Sequence, residues 1–501
     1  MIRTNVYKLY KHLKKERNKK LLKQQVFLSS YIKDNYKSID KMLLFHGIGT
    51  GKTYTSITIA ETIKSINPNM KILVILPARL KTNFIDELKG INNYEILSYE
   101  SLRNKLIIAK NYKKEIIKLT KNKIIIIDEV HNLLNGNIKQ DNINKILKLN
   151  KIDKKIPAIN ATILRLLTII ADNSSKFFFL TATPIFDNYG QFIQLVLNLN
   201  PTTDISKINN LSYLINLLKG KISFYKFNDK TVFPKVIIDN IKIPITKNQE
   251  KKINKLEKDN FCIKQRQILI SGDKTLKNAP KLQKLFELLK LPGKQVIYSN
   301  FINNSLNLII KYLKSKGWTN YFDNKLNDYK TFILWDASLK DKYKLEVKKI
   351  LNSIDNIDGK IIRVILGSPS IKEGISFKHI QHLHQLDPVW NLSAKEQIEG
   401  RCIRYKSHED IPIDHSTLKK EVVIHNYIGI SKNIYTCDEK IYEEIMIKKQ
   451  LIIKELEKLL KKVAIDYYLW NDRYSPKTHS KSSIISVNSA ENKLKNLITI
   501  K

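Results

Sequence analysis

Gly47, Gly49 and Gly51, closing on Lys52-Thr53, constrain this chain more than any other stretch. Glycine is used sparingly, 15 in 501 residues, so three within five positions mark a loop whose backbone must come close to something. Directly before it, Met42-Leu-Leu-Phe45 is a short apolar run that reads as a buried strand, and Tyr54 to Lys64 directly after it places apolar residues at helical spacing. Strand, glycine loop, helix is the setting of a phosphate-binding loop. Backbone N–H groups of Gly49, Gly51 and Lys52 would wrap a nucleotide phosphate, with Gly47 and Thr50 completing the loop and the helix N-terminus adding positive potential. Lys52 would reach the β- and γ-phosphates of ATP, and Thr53 would hold Mg²⁺.

The surrounding pattern predicts an α/β fold. From about residue 20 to 205, apolar runs alternate with amphipathic stretches; Ile72–Leu76, Ile124–Ile127 and Phe177–Leu180 read as fully buried parallel strands. This would be the first lobe, the one expected to bind ATP. Residues 206–280 carry Gly220, Pro234, Pro244, Gly272 and Pro280 and read as a connecting region. A second alternating block over 281–430 has strand candidates at Val296–Tyr298, Phe332–Leu334, Ile362–Leu366 and Val422–His425. Two such blocks predict two RecA-like lobes, each a doubly wound parallel sheet. Residues 431–474 form a helical extension, with Ile441, Ile445, Ile452, Leu456, Leu459 and Val463 on one face. A basic segment, 1–19, and a mobile tail rich in Ser, Asn and Lys, 475–501, complete the division.

Charge narrows the partners. There are 88 basic and 47 acidic residues, a net charge of +41 that calls for a polyanion, most simply nucleic acid. Heavy use of Lys, Ile and Asn fits an AT-rich genome, which explains Lys over Arg better than it explains the excess itself. Only ten of the basic residues are Arg, so a retained Arg marks a place where a planar guanidinium is needed. Cys262, Cys402 and Cys437 lie far apart with no metal-binding spacing and read as reduced thiols. No apolar run reaches membrane-spanning length, and no membrane partner is expected.

Three further motifs carry chemistry. Asp128-Glu-Val-His131 follows a strand directly, at the edge where an open α/β sheet binds ligand. Asp128 would complete the Mg²⁺ shell and Glu129 would orient and deprotonate the attacking water. Thr181-Ala-Thr-Pro184 follows the next strand, and the hydroxyls of Thr181 and Thr183 would sense the γ-phosphate and pass its state on. In Gln397-x-x-Gly-Arg-x-x-Arg404, Arg401 and Arg404 would sit one turn apart on one helical face and stabilise the transition state of phosphoryl transfer. Trp318, Trp335 and Trp390 are candidates for base stacking, with buried packing the commoner role for such residues.

In this order the motifs resemble those of superfamily 2 helicases and translocases. His46 stands where the strict phosphate-loop pattern has glycine. The resemblance adds Gln25 as an adenine-reading residue, Leu76-Pro-Ala-Arg79 as a nucleic-acid contact, and Ser368 to Gly374 as the segment coupling the two ligands, with Gly374 and Gln397 among the site residues. Leu180 to Asn188 and Leu197-Asn-Leu-Asn-Pro201 are similar to the Snf2-like branch. Gly400 to His408 and Ala464-Ile-Asp466 resemble a narrower group. It holds poxvirus nucleoside triphosphate phosphohydrolase I, the small subunit of the poxvirus early transcription factor, and helicases of large DNA viruses and yeast cytoplasmic linear plasmids. The resemblance implies a DNA-stimulated ATPase in cytoplasmic transcription, with a viral or plasmid RNA polymerase as partner. A strand-separating replicative helicase and an ATP-switched initiation or assembly factor share every motif. A nucleotide kinase or transporter ATPase is disfavoured by the arginine pair and by Thr181-Ala-Thr-Pro184.

Overall fold

The apolar runs of the first block do become parallel strands. In the computed structural model these are β1 (Lys41–His46), β2 (Lys71–Leu76), β3 (Tyr94–Ser98), β4 (Lys123–Ile127), β5 (Lys176–Thr181) and β6 (Ile222–Tyr225). They pair as one all-parallel sheet in the order β3-β2-β4-β5-β1-β6. The structure describes residues 21–467 apart from 48–49, 89, 135, 137, 139, 183–188, 209, 227–231, 258–260, 274, 325–327 and 373–375. The basic N-terminal segment and the C-terminal tail therefore lie outside the described residues.

Successive strand residues point to opposite faces, and here both faces are covered. Leu43, Phe45, Ile125, Ile127, Phe177 and Phe179 enter one apolar cluster. Met42, Leu44, Ile124, Ile126, Phe178 and Leu180 enter the other. That is why these strands read as unbroken apolar runs rather than as alternating ones. Each such side chain contributes on the order of 1.5–3 kcal/mol by leaving water, and Phe178→Ala would cost roughly 3–5 kcal/mol.

Register places the chemistry. β4, β5 and β1 are neighbours, with Ile127 opposite Phe179 and Phe45 opposite Thr181. The residues that follow these strands, Asp128, Ala182 and Gly47, therefore emerge side by side at the carboxyl edge of the sheet.

The chain divides into two compact units, residues 1–227 with 451–501 and residues 228–450. The second holds β7 (Lys235–Pro244), β8 (Lys294–Tyr298), β9 (Thr319–Asn320), β10 (Thr331–Trp335), β11 (Val364–Gly367), β12 (Ile380–Gln385) and β13 (Glu421–Ile430). They form an all-parallel sheet in the order β7-β13-β12-β8-β11-β10-β9. Its two faces are again covered, by clusters around Val296, Ile333 and Ile365 and around Ile297, Phe332 and Val364. Both units are RecA-like α/β lobes. The stretch 206–280 supplies β6 to the first sheet and β7 to the second. The C-terminal helix Met446–Val463 packs Leu456, Leu459, Leu460 and Val463 into the core of the first unit, while Ile441, in the helical turns before it, is buried in the second.

Candidate active site

Gly51 ends the glycine loop in the left-handed region, φ +75°, and the helix Lys52–Ile66 starts on it. A Cβ there would lie 3.3 Å from Gln25 Nε2 and 3.4 Å from Leu22 Cδ1, a tight fit, but it is the backbone conformation that calls for glycine. The loop is pinned from two sides and braced within. Gly47 N–H donates to Tyr225 O on β6 at 2.8 Å. Thr50 Oγ1 donates to Gly47 O at 2.8 Å. Gln24 Nε2, from the helix Lys23–Asn35, donates to Thr50 O at 3.0 Å. Gln25 is buried beside the loop; its Oε1 accepts from Leu22 N–H at 2.9 Å and its Nε2 faces Thr55 Oγ1 at 3.4 Å.

Lys52 and the acidic pair come together. Lys52 Nζ donates to Glu129 Oε1 at 2.6 Å and lies 3.5 Å from Asp128 Oδ1. Burial by itself would lower the Lys52 ammonium, but the carboxylates of Glu129 and Asp128 outweigh it and raise it. Burial likewise opposes ionisation of Glu129, yet the Lys52 charge and the His131 contact hold it well below the usual range. Asp128 goes the other way: burial raises it despite Lys52. Two carboxylates against one ammonium thus titrate apart, a familiar property of functional sites.

Glu129 adopts φ +51°, a backbone state that a non-glycine residue holds only at a cost of about 1–2 kcal/mol. Tyr99 maintains it. Its buried hydroxyl donates to the carbonyls of both Asp128 and Glu129, the latter at 3.0 Å. His131 Nδ1 stands 3.2 Å from Glu129 Oε2 and 3.1 Å from Thr181 Oγ1, bridging the Asp-Glu-x-His turn to the end of β5. Burial pushes the His131 imidazole down against the pull of Glu129, which keeps the ring neutral. Motif spacing gave Tyr99 and Gln24 no signal. His131 was in plain view within its motif, but without an assigned task.

Gly49, Thr183 and Gly374 lie outside the described residues. In the second unit, Gln397 and Arg401 sit on the helix Leu392–Cys402. Contrary to what helical spacing predicts, Arg404 does not lie on the helix with Arg401. The helix ends at Cys402, and Arg404 Nε donates back to Gly400 O at 2.9 Å, satisfying a carbonyl that the terminus leaves open. Trp335 is buried, and Trp390 Nε1 donates to Phe261 O at 3.0 Å. The three cysteines are free thiols. Among the described residues no helix is long and apolar enough to cross a membrane, and no three His, Cys, Asp or Glu side chains cluster to hold a metal.

A lysine and two carboxylates at adjacent strand ends, under a glycine loop that opens a helix, are equipment for phosphoryl chemistry. Comparison with known proteins says the same. The model for the helicase conserved C-terminal domain matches residues 280–406. A protein of Acanthamoeba polyphaga mimivirus named as an ATP-dependent RNA helicase is 28% identical over 82% of this chain and 82% of its own length. Nucleoside triphosphatase I of Heliothis armigera entomopoxvirus is 24% identical over 89% of this chain and 79% of its own. The helicase of the Kluyveromyces lactis killer plasmid pGKL-2 is 26% identical over 87% of this chain and 68% of its own. The protein carries a helicase C-terminal domain and is an ATP hydrolase of helicase type, resembling superfamily 2. The relatives it resembles include viral nucleoside triphosphatases and a killer-plasmid helicase.

Proposed function

We propose that this ATPase is stimulated by nucleic acid and converts hydrolysis into movement along DNA, in the service of viral or plasmid transcription in the cytoplasm. The observation that carries the catalytic half is the Lys52–Glu129–Asp128 cluster under the glycine loop. In this reading Lys52 leaves its carboxylates for the β- and γ-phosphates of ATP. That frees Glu129 to take a proton from water, with Tyr99 fixing its backbone. Thr53 and Asp128, one hydroxyl and one carboxylate, are a hard-oxygen donor set suited to Mg²⁺, which keeps several waters and shares the substrate phosphates. The ion would offset charge on those phosphates. His131 would carry the state of Glu129 to Thr181, and Arg401 and Arg404 would complete hydrolysis. The transport half is supported by the net charge of +41 and by relatives named as helicases.

Steady-state ATP hydrolysis by the purified chain, alone and with single-stranded DNA, duplex DNA or RNA, tests this reading, with Lys52→Ala as control. Stimulation by duplex or single-stranded DNA supports it. Stimulation by RNA alone overturns the DNA assignment. Lysine-dependent hydrolysis that ignores all three polymers points to a protein activator. Strand displacement on a forked duplex separates an unwinding helicase from a translocase.

A further inference from the structure

Two features left over from the motif reading meet in the first unit. One is His46, the residue before the glycine loop; the other is Asp466, at the end of the Ala464-Ile-Asp466 segment. His46 Nε2 lies 2.7 Å from Ser223 Oγ on β6, and Ser223 Oγ donates to Asp466 Oδ2 at 2.6 Å. The other oxygen, Oδ1, accepts Phe224 N–H at 2.8 Å. Ile465 N–H docks the segment on Ile222 O at 2.9 Å. His46, Ser223 and Asp466 are all 0% exposed, so nothing but this chain sets the network.

We propose that Asp466, acting through Ser223, fixes the tautomer of His46 and thereby positions the phosphate loop for nucleotide. The three are positioning residues, and the proposal rests on the ATPase reading of that loop. The logic is one of proton direction. An ionised Asp466 only accepts, so the Ser223 hydroxyl must donate to it. Ser223 Oγ then accepts, and His46 must carry its proton on Nε2. His46 Nδ1 is left as a buried acceptor with no partner among the described residues. The next residue, Gly47, is the one anchored to Tyr225 O, so the ring sits at the root of the loop.

The charges around the network agree with this. Burial and the nearby Lys52 charge push the His46 imidazole down to about 3, so the ring is neutral and has a tautomer to set. Burial pushes the Asp466 carboxyl up to about 7 against the hydrogen bonds from Ser223 and Phe224. Tyr31, hydrogen-bonded to Gly220 O, is itself pushed up to about 12 by burial and by Asp466. Lys461 lies over the Phe224 ring, and Lys226 is paired with Glu457. Protonated Asp466 would donate to Ser223, reverse the chain of hydrogen bonds and move the His46 proton to Nδ1.

Asp466→Asn imitates that reversal permanently. Main-chain Phe224 N–H cannot turn, so the amide oxygen stays with it and the NH₂ faces Ser223. Imidazole ¹⁵N shifts of the full histidine-labelled chain, with His46 assigned by His46→Gln, read the tautomer directly. Nε2–H is expected in the wild type at pH 8.5 and Nδ1–H in Asp466→Asn. The KM for ATP should rise about tenfold in Asp466→Asn at pH 8.5 with kcat changed less than about twofold. The gap should close toward pH 6, where the wild type is itself protonated. Ser223→Ala, which removes one oxygen, should show the same KM rise and keeps the test alive if Asp466→Asn does not fold. An unchanged tautomer together with unchanged KM in both variants overturns the proposal. If wild-type hydrolysis survives Lys52→Ala, the ATPase reading of the loop fails instead, and the ¹⁵N shifts still judge the relay.

Discussion

Lys52→Met removes the one ammonium between two carboxylates, and its cost can be worked from the surroundings. The Lys52 and Glu129 side chains are 12% and 20% exposed and bonded at 2.6 Å. Breaking a buried pair by deleting one partner costs roughly 3–5 kcal/mol, because the survivor is left charged and uncompensated. Partial exposure puts this case near 3 kcal/mol at pH 8. The loss must depend on pH. Glu129 is held below its ordinary 4.5, so its contribution is present above about that pH and is lost as pH falls through the depressed value. Lys52 is raised above 10.5, so its contribution is present below that pH and is lost in strong alkali. Asp128 is raised and opposes folding when ionised. In Lys52→Met, Glu129 can take a proton near pH 4.5, and the deficit should shrink to about 1 kcal/mol there. Urea denaturation at pH 4.5 and pH 8 measures this on the transition that the substitution moves. Glu129→Gln and the double variant close the cycle, with an expected coupling of about 1.5–3 kcal/mol. ATP turnover should fall at least about 100-fold. A deficit equal at both pH values, or a coupling within about 0.5 kcal/mol of zero, would refute the geometry.

Tyr99→Phe deletes the hydroxyl that holds the Asp128 and Glu129 carbonyls; it should cost about 1–3 kcal/mol and lower kcat more than it raises KM, and an unchanged kcat would show that Glu129 keeps its place unaided. Arg404→Ala should cost about 1 kcal/mol through the lost helix-terminal bond to Gly400 O; if hydrolysis then persists at the wild-type rate, capping is its whole role. In the second unit, burial holds His379, His382 and His408 down to about 4. These rings are neutral when folded and charge when unfolded, so stability should fall as pH drops below about 6.5 and level off below about 4, by up to ~3 kcal/mol each. Acid titration of the urea midpoint checks this, and a flat profile from pH 7 to 4.5 contradicts it.

The strands that could be read directly were those with a contiguous apolar run at their centre. β1, β2, β4, β5, β8, β10, β11 and β13 all contain one, although β8 and β13 also bury polar residues such as Gln295 and His425. β12, Ile-Gln-His-Leu-His-Gln, is just as buried but hides behind polar residues that pair inside the sheet. His384 bonds to Tyr427 and Gln295, and Gln381 to the Lys419 main chain. β7 lies at the sheet edge, paired only with β13, and several of its apolar side chains are exposed, so its pattern carried no burial signal. The arginine pair shows the opposite limit. Three-residue spacing suggests a shared helical face, but Arg404 is drawn back to Gly400 O, and a helix terminus is a competition for carbonyls that spacing does not record.

The same division runs through the site. Motif residues were legible because they are close in sequence and restricted in type: Gly51 by its backbone angle, Lys52 by its reach, Asp128 and Glu129 by following a buried strand. The residues that hold them are neither. Gln24, Tyr99, Ser223, Tyr225 and Asp466 are scattered along almost the whole described chain and are joined to the loop or to the acidic pair by single hydrogen bonds or short chains of them. Any polar side chain of the right length could serve in principle, so residue type alone gives no warning. Parallel topology makes the arrangement possible. β6 follows β5 in sequence but pairs on the far side of β1, which brings a strand from residues 222–225 against the strand that launches the glycine loop. The C-terminal segment then docks on β6 and reaches the loop through it. The position of Asp466 is thus a consequence of strand order, and a truncation after Val463 should weaken ATP binding even though the glycine loop, the Asp-Glu-x-His turn and the arginine motif all remain in the chain.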